Sequence, residues 1–263
     1  MKRISSADNQ FIKLANRLKN RKYRDKENLF VVEGLRSVEE LQEYPELIRA
    51  VFLESGMIAS MEELINALPE KCFEIDTRLM QTICSTDTPQ GAAAIVAKPA
   101  WRLADMLQED GPVVILDQIA DPGNVGSIIR SCWAMDVNGV LLTKGCADPF
   151  SPKVVRSTMG GILNVPLIQD ASDDTWGILK AENFRFIGTS GQAEQSYFDV
   201  ELTGKCALIL GSEAFGISGS LINQCDEFVK IPMNAKVDSL NVAAACAIII
   251  SEARRQRYGE VIS

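Results

Sequence analysis

Short apolar runs and amphipathic stretches alternate along almost the whole chain. Residues 29–33, 50–53, 72–75 and 92–97 are compact apolar runs that predict strands, and the intervals 35–44, 60–68 and 77–84 predict helices. Ahead of them, Phe11, Leu14, Ala15 and Leu18 fall at i, i+3, i+4 and i+7, predicting an amphipathic helix capped from Ser5-Ser6, with Lys13, Arg17 and Lys19 on its other face. The pattern lapses after Lys98 and resumes at Val113, so the chain divides into a domain over 1–98, a linker over 99–112 and a second domain over 113–263. Strands of the second series are expected at 113–116, 139–142, 165–168, 186–188, 207–210 and 228–231, with helices near 124–135, 152–160, 174–182 and 218–223. Both series are α/β.

Residues 227–257 combine a short β-type run, a polar loop and a long helix. Pro232 has no amide donor and stops the strand. Asp238 or Ser239 is expected to cap the helix, with Asn241 in its first turn. From 240 to 250 this helix is apolar on nearly every face, so it is expected to be enclosed by protein on all sides.

Charge is divided unevenly. Ten of the 27 Lys/Arg fall in residues 1–36 against four of the 35 acids, and the whole chain carries −8. A basic head on an acidic body suits a docked polyanion, although charge alone fits a solvated helix face equally well. The seven cysteines are scattered, odd in number and without a C-x-x-C pair, which predicts free thiols in a reducing cytoplasm. No apolar run approaches the ~18 residues of a membrane span. The absence of histidine removes the commonest base and metal ligand, so a Ser-His-Asp triad and zinc chemistry are excluded and no metal is expected.

Three loops carry candidate chemistry. The first follows the apolar run 113–116 and contains Pro122, Gly123, Asn124, Gly126 and Arg130, a strand-to-helix turn suited to anions. Its G-x-x-G spacing is not the G-x-G-x-x-G of a dinucleotide fold, which argues against an NAD-type oxidoreductase. The second, Gly211-Ser212-Glu213-Ala214-Phe215-Gly216, sets one carboxylate between glycines. The third holds Ser239 and Asn241.

In this order, Asn124-x-Gly126 with Arg130, Gly211-x-Glu213, and Ile231-Pro232-Met233 with Ser239-Leu240-Asn241 closely resemble the motifs of the SpoU/TrmH family of RNA ribose 2′-O-methyltransferases, in the SPOUT superfamily. Ser5-Ser6 with Asn9, and Phe30-Val31-Val32-Glu33-Gly34, look like that family's RNA substrate-binding module, similar to ribosomal protein L30e. One departure is Ser212-Glu213-Ala214-Phe215, where many members read Pro-Glu-Gly. The resemblance implies a parallel sheet with a trefoil knot in the second domain, a homodimer, structured RNA (rRNA or tRNA) as substrate and S-adenosylmethionine as methyl donor. By the same resemblance Asn124, Arg130, Glu213, Ser239 and Asn241 are the catalytic set, while Thr189, Gly191, Leu210, Gly211, Ile231, Met233 and Leu240 form the cofactor pocket. Candidate proton acceptors are Glu213, Arg130 and an RNA phosphate held by Arg130. A guanidinium stays protonated, so Arg130 is better suited to orienting ribose and phosphate. The alternative is a non-catalytic RNA-binding protein of the same fold, against which the intact polar motif residues argue.

Overall fold

The computed structural model describes residues 1–261, with side chains for 1–259. It divides into two compact units, residues 1–100 with 148–160, and residues 101–147 with 161–263.

The first unit is built on a five-stranded sheet. Its strands are β1 (Lys2–Arg3), β2 (Leu29–Glu33), β3 (Ile48–Leu53), β4 (Cys72–Glu74) and β5 (Ala92–Ala97), in the order β1-β4-β3-β5-β2. β3 lies parallel to β4 and antiparallel to β5. Helix α1 (Gln10–Leu18) buries Ile12, Ala15 and Leu18 in a core shared with Phe52, Phe73 and Leu79. Its cap is Asn9, whose side chain accepts the Phe11 amide, and not the expected Ser5 or Ser6. Helix α2 (Arg21–Glu27) has no apolar stripe; Asn20 caps its start, and Asn28 ends it in the left-handed conformation. Helices α3 (Leu35–Glu39), α4 (Glu62–Ala67) and α5 (Thr77–Ile83) follow their strands.

Helix α7 (Pro152–Thr158) and its flanks depart from the expected 113–263 boundary and pack in this unit. The reason is ionic as well as apolar. Arg24, only 4% exposed, donates through Nε and Nη2 to Asp148, while its Nη1 satisfies the carbonyls of Leu18 and Lys19. Buried Glu33 pairs with Arg156, and the rings of Phe30 and Phe150 stand 5.1 Å apart. Each buried charge thus finds its partner in a distant segment, without which it would be costly to desolvate.

The second unit is a seven-stranded sheet in which every paired strand is parallel. Its strands are β6 (Pro112–Asp117), β7 (Gly139–Thr143), β8 (Leu167–Ala171), β9 (Arg185–Thr189), β10 (Gln195–Ser196), β11 (Cys206–Gly211) and β12 (Glu227–Lys230), in the order β10-β12-β9-β11-β6-β7-β8. Helices α6 (Pro122–Ala134), α8 (Gly161–Asn164), α9 (Asp173–Ala181), α10 (Gly219–Ile222) and α11 (Val242–Val261) connect and cover them. Trp176 and Leu179 of α9 and Leu221 of α10 pack with Ile115, Phe186 and Ile209 of the sheet. Helix α11 packs on α6.

The expectation that α11 is enclosed on all sides is corrected here. Val242, Cys246, Ile249, Ile250 and Ala253 are buried, which is one stripe at i, i+4, i+7, i+8 and i+11. Ala244 is exposed, and Ala243, Ala245, Ala247 and Ile248 are half-buried. The opposite face is apolar but built largely of alanine, whose small surface loses little by staying open. No helix among the described residues is long and apolar enough to cross a membrane.

Candidate active site

The polar motif residues come from loops that leave the carboxyl ends of β6, β11 and β12, where parallel sheets commonly bind ligands. After β6, the Asp121 carboxylate accepts the Asn124 amide and caps α6, with Pro122 in the first helical turn. Gly123 leaves room for that carboxylate, since a Cβ there would stand 2.9 Å from Asp121 Oδ1. Gly123 and Gly126 therefore lie inside α6 and not in the tight turn their spacing suggested.

After β11, Ser212 and Gly216 exchange backbone hydrogen bonds of 3.0 and 2.8 Å, closing a turn that carries Glu213. A Cβ on Gly211 would lie 2.1 Å from the Gly216 carbonyl carbon, so only glycine fits at the base of the turn. Phe215, 90% exposed, stands on the same turn.

After β12, the chain returns to place Asn241 against both earlier loops. Asn241 Nδ2 donates to Asn124 Oδ1 at 2.9 Å and to Glu213 Oε1 at 3.2 Å, and Asn124 Nδ2 donates to the same Glu213 oxygen at 3.0 Å. The Val242 amide reaches it at 3.4 Å. Asn241 Oδ1 accepts the amides of Ala243 and Ala244, so Asn241, not Asp238 or Ser239, caps α11. Every polar atom of the two asparagine side chains' facing edges is thereby committed, and both amides are held in one orientation.

Ser239 lies outside this cluster. It lines a neighbouring cavity of about 150 Å³ together with Thr189, Gly191, Ile231, Met233 and Leu240. Of the seven residues expected around the cofactor, Leu210 and Gly211 are not walls of this cavity: Leu210 is buried within β11 and Gly211 packs on the 216–217 backbone. The Thr189 hydroxyl is spent on the Ile209 carbonyl at 2.9 Å. Apolar Ile231, Met233, Leu240 and Ile249 with Gly191 line it beside polar Ser190, Lys230, Asp238 and Ser239, a mixed lining suited to a flat heterocycle with polar edges.

Arg130 is exposed and has no hydrogen-bond or ion-pair partner among the described residues. It lies six residues beyond Asn124 on α6, about 9 Å along the helix, and is not drawn into the asparagine–glutamate cluster.

Asp117, which motif spacing did not single out, is 2% exposed at the end of β6. Its carboxylate accepts the Thr143 hydroxyl at 3.0 Å and the Ser218 amide at 2.6 Å, tying the end of β7 and the segment after the Glu213 turn to β6. The available signal was a lone acid closing a wholly apolar strand. Among the described residues no group of three Cys, Asp or Glu is placed to hold a metal ion.

The family model described as the SpoU rRNA Methylase family matches residues 111–251, and that of the MRM3-like substrate binding domain matches residues 9–94. The chain is 31% identical over 256 residues to the 23S rRNA (guanosine(2553)-2′-O)-methyltransferase RlmP of Bacillus subtilis, covering 97% of this chain and all of that one. It superposes on the SpoU methyltransferase AviRb from Streptomyces viridochromogenes with a TM-score of 0.86 at 28% identity, covering 96% of this chain and 99% of that one. The AdoMet-bound rRNA methyltransferase from Sinorhizobium meliloti superposes with a TM-score of 0.85 at 27% identity, over 97% of each chain. With a matching family model over more than half its length and a full-length relative beyond 30% identity, the chain belongs to the SpoU rRNA methylase family.

Proposed function

We propose that this protein transfers a methyl group from S-adenosylmethionine to a ribose 2′-hydroxyl of large-subunit ribosomal RNA. It is an RNA 2′-O-methyltransferase by family, and two full-length relatives, RlmP of Bacillus subtilis and the uridine(2479) enzyme of Streptomyces viridochromogenes, are named for 23S rRNA. The observation that carries the reading to this chain is the Asn124–Glu213–Asn241 network, assembled from three loops beside the cavity lined by Ser239 and Met233.

The donor supplies an electrophilic methyl carbon. Held in the cavity lined by Thr189, Gly191, Met233 and Leu240, it would offer that carbon to the ribose oxygen, whose hydroxyl proton must leave to a group with a free lone pair. That requirement excludes the guanidinium of Arg130 as base. Arg130, exposed and uncommitted, orients the ribose and its phosphate. Glu213 Oε1 is saturated by Asn124, Asn241 and Val242, so the carboxylate is fixed in position with Oε2 open to the substrate. Much of the acceleration then comes from alignment of nucleophile and methyl carbon.

The reading includes a homodimer, a knotted path for 231–241 and a cytoplasmic site of action. It is supported by the open apolar face of α11, by the return of Asn241 onto loops fixed earlier in the chain, and by seven unpaired cysteines. Incubating the protein with isotopically labelled S-adenosylmethionine and 23S rRNA, then resolving nucleosides by mass, tests it. Label on a 2′-O-methyl nucleoside is expected; RNA binding without transfer would instead make the chain a non-catalytic RNA-binding protein.

A further inference from the structure

The first unit holds a cavity of about 650 Å³ that shares no wall with the cavity beside the asparagine–glutamate network. Its size falls within the roughly 300–1,000 Å³ of small-molecule sites. Its polar walls are Glu33 of β2, Arg36, Ser37 and Glu39 of α3, Thr86, Thr88 and Gln90 of the loop before β5, and Arg156 of α7.

These walls are built from three separate segments and pinned together. Glu33, buried at the end of β2, accepts the Ser85 amide at 2.8 Å through Oε1 and Arg156 Nη1 at 3.1 Å through Oε2. Arg156 Nη1 also donates to the Ser85 hydroxyl. One nitrogen of that guanidinium is thus occupied by the protein, and the donors on Nε and Nη2 stay available. Gly34 has φ +103°, and a Cβ on it would come within 3.0 Å of Gln90 Oε1, which also accepts the Leu35 amide. The turn therefore demands glycine and fixes the Gln90 side chain.

The chemistry of the lining is that of recognition. Burial, reinforced by Glu33, pushes the Cys84 thiol up to about 12, so the thiol in the wall offers no nucleophile. Glu33 and Glu39 offset Arg156 and Arg36, which leaves directed donors and acceptors without a large net charge. Guanidinium groups match phosphate oxygens, while hydroxyls and an amide match base edges and a 2′-hydroxyl. A near-neutral cavity suits a phosphodiester, with one charge, better than a free mononucleotide with two. Its rim is formed by the exposed Arg36, Thr88 and Gln90, so strand on either side of a bound nucleotide can remain in solvent.

We propose that this cavity takes one unstacked nucleotide of the substrate RNA, a nucleotide other than the one methylated. The identity of that RNA rests on the function proposed above. The test uses the full-length protein, 23S rRNA transcribed in vitro, and the variants Arg36→Ala and Thr88→Trp, the second filling the cavity. Neither wild-type side chain has a hydrogen bond or ion pair among the described residues, so both variants should fold, as S-adenosylmethionine affinity and Tm will check. Each is expected to raise the Kd for rRNA about tenfold, the loss of a charge-assisted contact in one case and exclusion in the other. Arg36→Ala should also flatten the salt dependence of log K by about 0.9. Wild-type Kd in both variants, or no rRNA binding by the wild type, overturns the proposal. So does micromolar binding of free nucleoside monophosphates that both variants abolish while leaving rRNA affinity intact. Binding is read without turnover, so failure of methyl transfer would sink the function proposed above and leave this comparison decisive for the cavity.

Discussion

Asn241 Nδ2 and Asn124 Oδ1, 117 residues apart in the chain, lie 2.9 Å from each other. The contact joins the starts of α6 and α11, and Asn241 serves two ends at once, its carbonyl oxygen capping α11 while its amide faces Asn124 and Glu213. These two duties can be separated by substitution. Asn241→Ser keeps an acceptor for the cap, whose loss in Asn241→Ala costs about 1 kcal/mol of stability. Serine cannot reproduce the bifurcated amide, and hydrogen bonds to charged groups contribute about 1.5–3 kcal/mol. We expect Asn241→Ser to melt close to wild type yet lose about tenfold to hundredfold in kcat/KM, an interaction that acts in the transition state. Full turnover in Asn241→Ser would reduce Asn241 to a cap.

Gly211→Ala tests whether the turn geometry sets activity. The added methyl group would meet the Gly216–Ile217 backbone at 2.1–2.2 Å, and backbone cannot step aside as a side chain can. Differential scanning fluorimetry should show a lower Tm, and methyl transfer should fall further than at Gly219, where a Cβ meets nothing within 4 Å. Equal effects at the two glycines would contradict the steric account.

Much of the charge of the basic head is committed within the protein. Arg24 is a structural cation, and Lys2, Arg3, Lys13 and Arg21 have acidic neighbours in Glu70, Glu74, Asp8 and Asp25, whereas Lys22, Lys26 and Arg36 are exposed and have no ion pair among the described residues. Asp148→Ala strands the buried Arg24 charge and should destabilise the first unit by about 3–5 kcal/mol. Lys22→Ala with Lys26→Ala should leave urea midpoints within error and weaken rRNA binding at low salt. Unchanged stability in Asp148→Ala would show that the pair is solvated.

What could be read from residues alone follows the range of the forces involved. Strands such as β6 and β11 are continuous apolar runs, and the start of α6 is written in Asp121-Pro122. Helix α2 could not be read from periodicity, because its sequence Arg-Lys-Tyr-Arg-Asp-Lys-Glu has no apolar face and its limits are set by Asn20 and Asn28. The placement of 148–160 depends on Arg24 meeting Asp148 across 124 residues, which no local pattern encodes. In the site, motif resemblance supplied Asn124, Glu213 and Asn241, but which of them touch, and that Ser239 lies apart from them in the cavity wall, emerges only from the fold.

Buried thiols give a pH dependence of definite sign. Burial pushes Cys84 and Cys206 up to about 12 and Cys225 up to about 11, above the ordinary 9.0 of an exposed thiol. Above pH 9 the unfolded chain releases these protons while the folded chain retains them, so stability is fully present below 9 and is lost progressively towards 12. Urea midpoints measured from pH 8 to 10.5 should fall, and the fall should be smaller in a Cys84→Ala/Cys206→Ala variant. Parallel curves would show that the thiols contribute nothing to it.

The last prediction concerns the partner of Arg130. Glu213 is locked to Asn124 and Asn241 within one chain, whereas Arg130 is exposed on α6 with no partner among the described residues, and α11, which packs on α6, keeps a partly open apolar face. A two-fold interface over this surface would cover α11 and could bring one subunit's Arg130 to the other's Glu213. Arg130→Ala and Glu213→Ala are each expected to be inactive alone. If Arg130 serves the partner's site, a mixed dimer contains one site with both residues intact and one with neither, so mixing should restore up to about half the activity per dimer, diluted by the statistics of subunit exchange. If both residues serve the same chain's site, every site in the mixture lacks one of them and nothing is restored. Subunit exchange must be followed separately, by native mass spectrometry of differently tagged chains, so that silence has one meaning. No recovery with exchange complete would place Arg130 and Glu213 in one subunit's site, and a monomer by light scattering would remove the shared site altogether.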